Sequence, residues 1–163
     1  MSRLVIVTAL FLCVFHNALA EKYAFSQPVG PGGGDSFSLN GDGAITAIRV
    51  WEQYNSVITG FQVRYGPTWS PIIGAESGDA KEMELYKDEG IIQISGKFNS
   101  VITSLVFVTK KGRTLQAGQP SGTSFNMYAP SKDTELVLIS GQTRGPNRIT
   151  YFGAHWGIPE YYI

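Results

Sequence analysis

Past residue 20 the chain holds one histidine, His155, and no cysteine, so nucleophilic or metal chemistry has almost nothing to work with. A Ser-His-Asp relay would have to run through His155 alone, and no group of histidines and cysteines shows metal-ligand spacing. The paired acids Glu82/Glu84 and Asp88/Glu89 fall in a polar stretch that reads as exposed strand or turn, a poor setting for the two facing carboxylates of a hydrolase. Recognition chemistry is better supplied. Gly32-Gly33-Gly34 lacks three successive Cβ atoms, which lets a hydroxyl approach main-chain N–H groups and permits positive φ. A tight turn with no ligand needs the same residues. The inventory therefore points to a non-enzymatic protein that calls for no metal and no cofactor.

These residues must be positioned by strands. Asn55-Ser56-Val57-Ile58-Thr59 returns unchanged as Asn99-Ser100-Val101-Ile102-Thr103, and a worn copy follows at Asn147-Arg148-Ile149-Thr150. With the isoleucines in register, Phe61, Leu105 and Phe152 coincide, then Val63, Phe107 and Ala154, then Tyr65, Thr109 and Trp156. Apolar character recurs at every second position, the period of a strand with one buried face. Each copy is preceded by a second strand-like run, 44–50, 91–96 or 136–141. Strand, turn and strand thus recur three times, and no helical period is visible after residue 21. Three antiparallel four-stranded sheets, each turning its apolar face inward, close into a three-sided prism with pseudo-threefold symmetry. A plain sandwich or barrel leaves the repeat unexplained.

Residues 1–20 read as a secretory signal: Arg3 supplies the positive end, Leu4 to Phe15 is almost wholly apolar, and Ala18-Leu19-Ala20 offers a cleavage site. The apolar run is short of the roughly 20 residues that span a bilayer, so no transmembrane segment is expected. Residues 21–163 then form one domain, long enough for a sizeable core. Cys13 leaves with the signal, so the exported protein has no disulfide and must be stabilised by packing. Loss of Arg3 from the 13 basic residues leaves 12 against 13 acidic ones. No global field recruits nucleic acid.

Several segments resemble the jacalin-related lectins. They are Gly30-Pro31-Gly32-Gly33-Gly34, Ile45-Thr46-Ala47-Ile48-Arg49-Val50, Val63-Arg64-Tyr65-Gly66, Ile94-Ser95-Gly96-Lys97, Leu105-Val106-Phe107-Val108-Thr109, Ser121-Gly122-Thr123-Ser124-Phe125-Asn126 and Gly153-Ala154-His155-Trp156. The resemblance runs from about Tyr23 to Trp156. It implies the β-prism type I fold, with three four-stranded Greek-key sheets, and agrees with the prism read from the repeat. It also implies metal-independent binding of glycans or glycoproteins, mannose-containing or sulfated, through three loops at one end of the prism. Export through secretory granules to the extracellular space follows from the same resemblance.

Family resemblance maps the first loop to Gly33 and Gly34, and the second, which tunes preference, to Lys97 and Phe98 as a donor and an apolar wall. The third carries Gly-x-x-x-Asp, whose carboxylate accepts hydrogen bonds from two adjacent sugar hydroxyls, and is mapped to Gly153, Ala154, His155, Trp156 and Gly157. Gly157 stands where the aspartate belongs. A hydrogen bond to a charged group contributes about 1.5–3 kcal/mol, against about 4 kcal/mol for a whole millimolar affinity, so this departure weakens the case for mannose. Asp35 and Glu160 are the nearest acids that could substitute. The repeat alignment places His155 on an outward strand face and Trp156 on the inward side. The alternative function is a scaffold that meets a matrix or membrane component through Arg49, Arg64, Lys97, Lys110, Lys111, Arg113, Arg144 and Arg148.

Overall fold

The computed structural model describes residues 23–53 and 56–159, so the expected signal segment lies outside the described residues. Its elements are all strands: β1 (Tyr23–Phe25), β2 (Asp35–Leu39), β3 (Ile45–Glu52), β4 (Ile58–Tyr65), β5 (Thr68–Trp69), β6 (Ile73–Gly74), β7 (Asp79–Glu84), β8 (Ile91–Phe98), β9 (Ile102–Thr109), β10 (Thr114–Gly118), β11 (Thr123–Tyr128), β12 (Glu135–Thr143) and β13 (Ile149–Gly157). They form three antiparallel sheets, ordered β5-β4-β3-β7, β10-β9-β8-β11 and β1-β13-β12-β2. The first two orders are Greek keys, a meander whose last strand returns beside its first. In the third, the two N-terminal strands flank the C-terminal hairpin, so the chain ends complete one sheet together.

One sheet departs from four strands. Its outer edge is split into β5 and β6, both paired with β4. Pro71 lies between them, and a residue without an N–H cannot continue a ladder. The corresponding edge strand β10 contains no proline and runs unbroken.

The repeat governs the packing. Ile58, Phe61 and Val63, Ile102, Leu105 and Phe107, and Ile149, Phe152 and Ala154 are all fully buried around the prism axis. Phe61 meets Phe152 edge-on at 5.7 Å, and Phe37 meets Phe61 at 5.6 Å. Such edge-to-face pairs bind sheets together beyond simple area burial.

The repeated threonine has a separate task. Each inner hairpin carries two register shifts, and the one beside its turn skips Thr59, Thr103 or Thr150, each in a β-bulge. Freed from the ladder, each carbonyl accepts an N–H from the loop beside it: Ala75 to Thr59 at 2.9 Å, Gln119 to Thr103 at 3.0 Å and Gly32 to Thr150 at 3.0 Å. Each hydroxyl donates back to that loop, to Ser77 O at 2.5 Å, Ser121 O at 2.6 Å and Gly33 O at 2.8 Å. Three loops are therefore clamped at the pole where the hairpins turn.

Glycine makes the clamps possible. Gly30, Gly74 and Gly118 recur every 44 residues, as do Gly34, Gly78 and Gly122, and all six have positive φ. A Cβ on Gly30, Gly74 or Gly118 would run into the clamping threonine's own carbonyl. Gly112 also has positive φ but faces open space. Gly112→Ala should thus cost only backbone strain of about 1–2 kcal/mol, whereas Gly118→Ala adds overpacking of about 1–3 kcal/mol. Urea denaturation of the two variants checks the ordering.

Candidate functional site

The clamps bring the glycine loop, the tip after β8 and the turn after β12 to one pole. A cavity of about 300 Å³ opens where the hairpin turns converge, lined by Gln53, Ser56 and Val57 from the first, Ser100 and Val101 from the second, and Asn147 and Arg148 from the third. Gly33 and Gly34 are exposed beside the third turn. The N–H of Gly33 is already taken by Gln142 Oε1 at 2.6 Å, and the Arg144 guanidinium covers the face where a Cβ would stand. Gly33 thus serves as a seat for Arg144, with its amide engaged inside the protein.

Lys97 and Phe98 end β8 at the same pole. The Lys97 ammonium donates to Ser124 Oγ at 2.9 Å, an exposed contact. Phe98 packs against the core and lies 6.3 Å from the Phe125 ring, so much of the expected apolar wall is structural.

The third loop needs correction. Gly153, Ala154, His155, Trp156 and Gly157 are strand residues of β13, running away from the glycine loop to the far pole, where Gly157 pairs with Tyr23 and Glu135. Ala154 and Trp156 are in the core, with the Trp156 indole donating to Ser26 Oγ at 2.8 Å. His155 faces outward between Tyr23 and Ser140, at 2.6 Å and 2.8 Å. None of these joins Gly33 and Gly34. The segment that does is the turn Arg144-Gly145-Pro146-Asn147-Arg148, and five residues counted from Gly145 end on Ile149, fully buried. The family carboxylate is therefore absent on this count too. The signal for the right segment lay in the repeat, because a loop site shared by three units must sit at their turns. Asp35 opens β2 immediately after the glycine loop and is exposed, while Glu160 lies outside the described residues.

Most candidate cations are already engaged. Arg49 pairs with Glu82 at 2.6 Å, Arg64 with Glu84 at 2.9 Å, Lys110 with Glu135 at 2.8 Å and Arg113 with Glu89 at 2.7 Å. Lys111 donates to Lys87 O at 2.9 Å. Among the described residues, Arg144 reaches Gly32 O alone, at 3.4 Å, and Arg148 has no side-chain partner. Among the described residues, Arg144 and Arg148 thus have no acidic partner at the glycine pole, and neither does Lys87 at the far one. Among the described residues, no three acidic, histidine or cysteine side chains are grouped to hold a metal ion.

Burial pushes the His155 imidazole below its ordinary value of 6.5. Burial acts upward on Glu89, but hydrogen bonds from Thr109, the Tyr86 N–H and Arg113 outweigh it and hold that carboxyl below 4.5. For both groups the unfolded chain binds protons first, so each contribution is present above its ordinary value and is lost as pH falls through the folded one. The His155 contribution fades below pH 6.5 and that of Glu89 only below 4.5. His155→Gln should flatten the fall in urea midpoint between about pH 7 and 5.5 and leave the steeper acid limb in place.

A three-sheeted β-prism with its loops clamped at one pole is the architecture of a lectin domain. The chain belongs to the family described as the Jacalin-like lectin domain, whose model matches residues 26–155. It is 44% identical to zymogen granule membrane protein 16 of Homo sapiens over 147 residues, covering 87% of this chain and 86% of that protein. Among solved structures it is similar to a prostate-specific WGA16 glycoprotein lectin, with TM-score 0.73 and 31% identity over 84% of this chain and all of that one. Single-chain recombinant jacalin superposes with TM-score 0.70 at 20% identity, over 86% of this chain and 98% of that one, a likeness that speaks for the fold alone.

Proposed function

We propose that this protein is a secreted lectin that binds glycans without metal at the glycine pole. The site is formed by the loop at Gly33 and Gly34, the tip at Lys97 and Phe98, and the turn from Arg144 to Arg148. The observation that carries this reading is the convergence of these segments at one pole, with the glycine loop held by buried Thr150 and the end of β8 by buried Thr103. Such pre-organisation matters because a weak ligand cannot offset the cost of ordering loops on binding.

The chemistry of the pole narrows the ligand class. Where Gly-x-x-x-Asp would supply an acceptor, the turn ends on buried Ile149, and Arg144 and Arg148 stand beside it. Donors dominate, with Asp35 the acid next to the glycine loop. This favours glycans that carry a sulfate or carboxylate group over simple mannose. The alternative of a charge-driven scaffold draws on eight cations, seven of which already have partners, and is less well supported. Export is supported by the apolar character of residues 4–15 and by relatives named for the zymogen granule membrane.

A glycan array containing sulfated, sialylated and neutral structures tests the reading. Binding to acidic glycans should drop about tenfold or more in Arg148→Ala combined with Lys97→Ala, since charged hydrogen bonds are lost. His155→Ala should leave it unchanged, and Gly157→Asp should create no mannose binding. Loss of binding in His155→Ala with none in the pole variant would place recognition on the other end of β13.

A further inference from the structure

The far pole holds a cleft of about 620 Å³ between the loop after β2 and the segment 67–71. Asn40, Asp42, Thr68 and Trp69 line it, with Tyr65 beneath them. β2 and β4 both run from the glycine pole to this end, so eight residues of β4 at about 3.3 Å each put it roughly 25 Å from the glycine loop.

Its walls are fixed by buried groups. The Tyr65 phenol, pushed upward in pKa by burial, donates to Leu39 O at 2.8 Å and Val137 O at 3.0 Å, anchoring the residue from which the loop departs. Gly41 lies on the Tyr65 ring so closely that a side chain there would collide with it. On the opposite wall, Ser70 Oγ accepts the Val63 N–H at 3.2 Å and donates to Pro71 O at 2.9 Å. Trp69 is held by Arg49 and Arg64, whose guanidinium carbons lie 4.4 Å and 5.5 Å from the ring centroid. Asp42 is exposed and has no partner among the described residues.

We propose that this cleft is a second saccharide site, independent of the glycine pole and selective for neutral sugars. A part-exposed indole and the Asp42 carboxylate, lining one cleft, offer apolar surface and an acceptor for two adjacent hydroxyls, while Asn40 and Thr68 supply mixed donors and acceptors. A cationic ligand finds the Trp69 ring already engaged by two guanidinium groups. An anionic glycan would meet Asp42. A neutral polyhydroxylated ring conflicts with neither. The proposal rests on this cleft alone and does not require the glycine pole to bind anything.

The test is an NMR titration of the protein with methyl α-mannoside, methyl β-galactoside and diacetylchitobiose in turn, with spermidine as the cationic control. At least one sugar should shift the Trp69 indole N–H and the Gly41, Asp42 and Gly43 amides in a saturable, millimolar manner. Asp42→Asn, which breaks no side-chain hydrogen bond or ion pair among the described residues, should weaken that response about tenfold or more, as expected for losing a charged acceptor. Lys97→Ala should leave it intact. No shift at these residues with any of the sugars overturns the proposal, as does a saturable shift with spermidine alone or a sugar response that Asp42→Asn fails to weaken. The acidic-glycan response at the glycine pole is read from separate resonances, so either site can fail without the other.

Discussion

The prism depends on a hydroxyl that has left the β ladder. Beside its turn, each inner hairpin bulges at a threonine, and the displaced residue turns its carbonyl and its hydroxyl toward the loop that feeds the adjoining edge or outer strand. Burial makes the arrangement energetically consequential. Thr59, Thr103 and Thr150 are almost wholly removed from water, so an unpaired hydroxyl there would cost about 1–3 kcal/mol. The facing glycines complete the contact, since only a residue without Cβ can bring its backbone against that carbonyl at positive φ. One local device, used three times, thereby sets the pole, the loop conformations and the threefold relation of the sheets.

Much of this is legible in the sequence. Alternation at Phe61, Val63 and Tyr65 and their equivalents specifies which face is buried, and the recurrent pentapeptide specifies the turns. The purpose of the pentapeptide was not legible, because a threonine in a strand and a threonine in a bulge look alike until the register is known. The glycines at 30, 74 and 118 and at 34, 78 and 122 carry the same 44-residue period, yet they are hidden among other turn glycines. The third loop was misplaced for a related reason. Gly153 to Gly157 has the spacing of the family motif, but spacing along a strand of nine residues says nothing about which pole it reaches.

Charge is distributed in keeping with this division. On the sheet faces, cations are absorbed into ion pairs: Arg49 with Glu82 and Arg64 with Glu84 lie on neighbouring strands, and Arg113 serves the buried Glu89. The partly exposed pairs contribute little stability individually, but they leave the faces electrically quiet. Arg144 and Arg148 remain at one pole and the carboxylate of Asp42 at the other.

Amide hydrogen exchange in Thr150→Val tests the clamp most directly. If the hydroxyl holds the glycine loop, exchange at Gly32 should speed up markedly while Ala75 and Gln119, held by Thr59 and Thr103, keep their protection. Unchanged protection at Gly32, or equal loss at all three amides, would contradict three independent clamps built on bulged threonines.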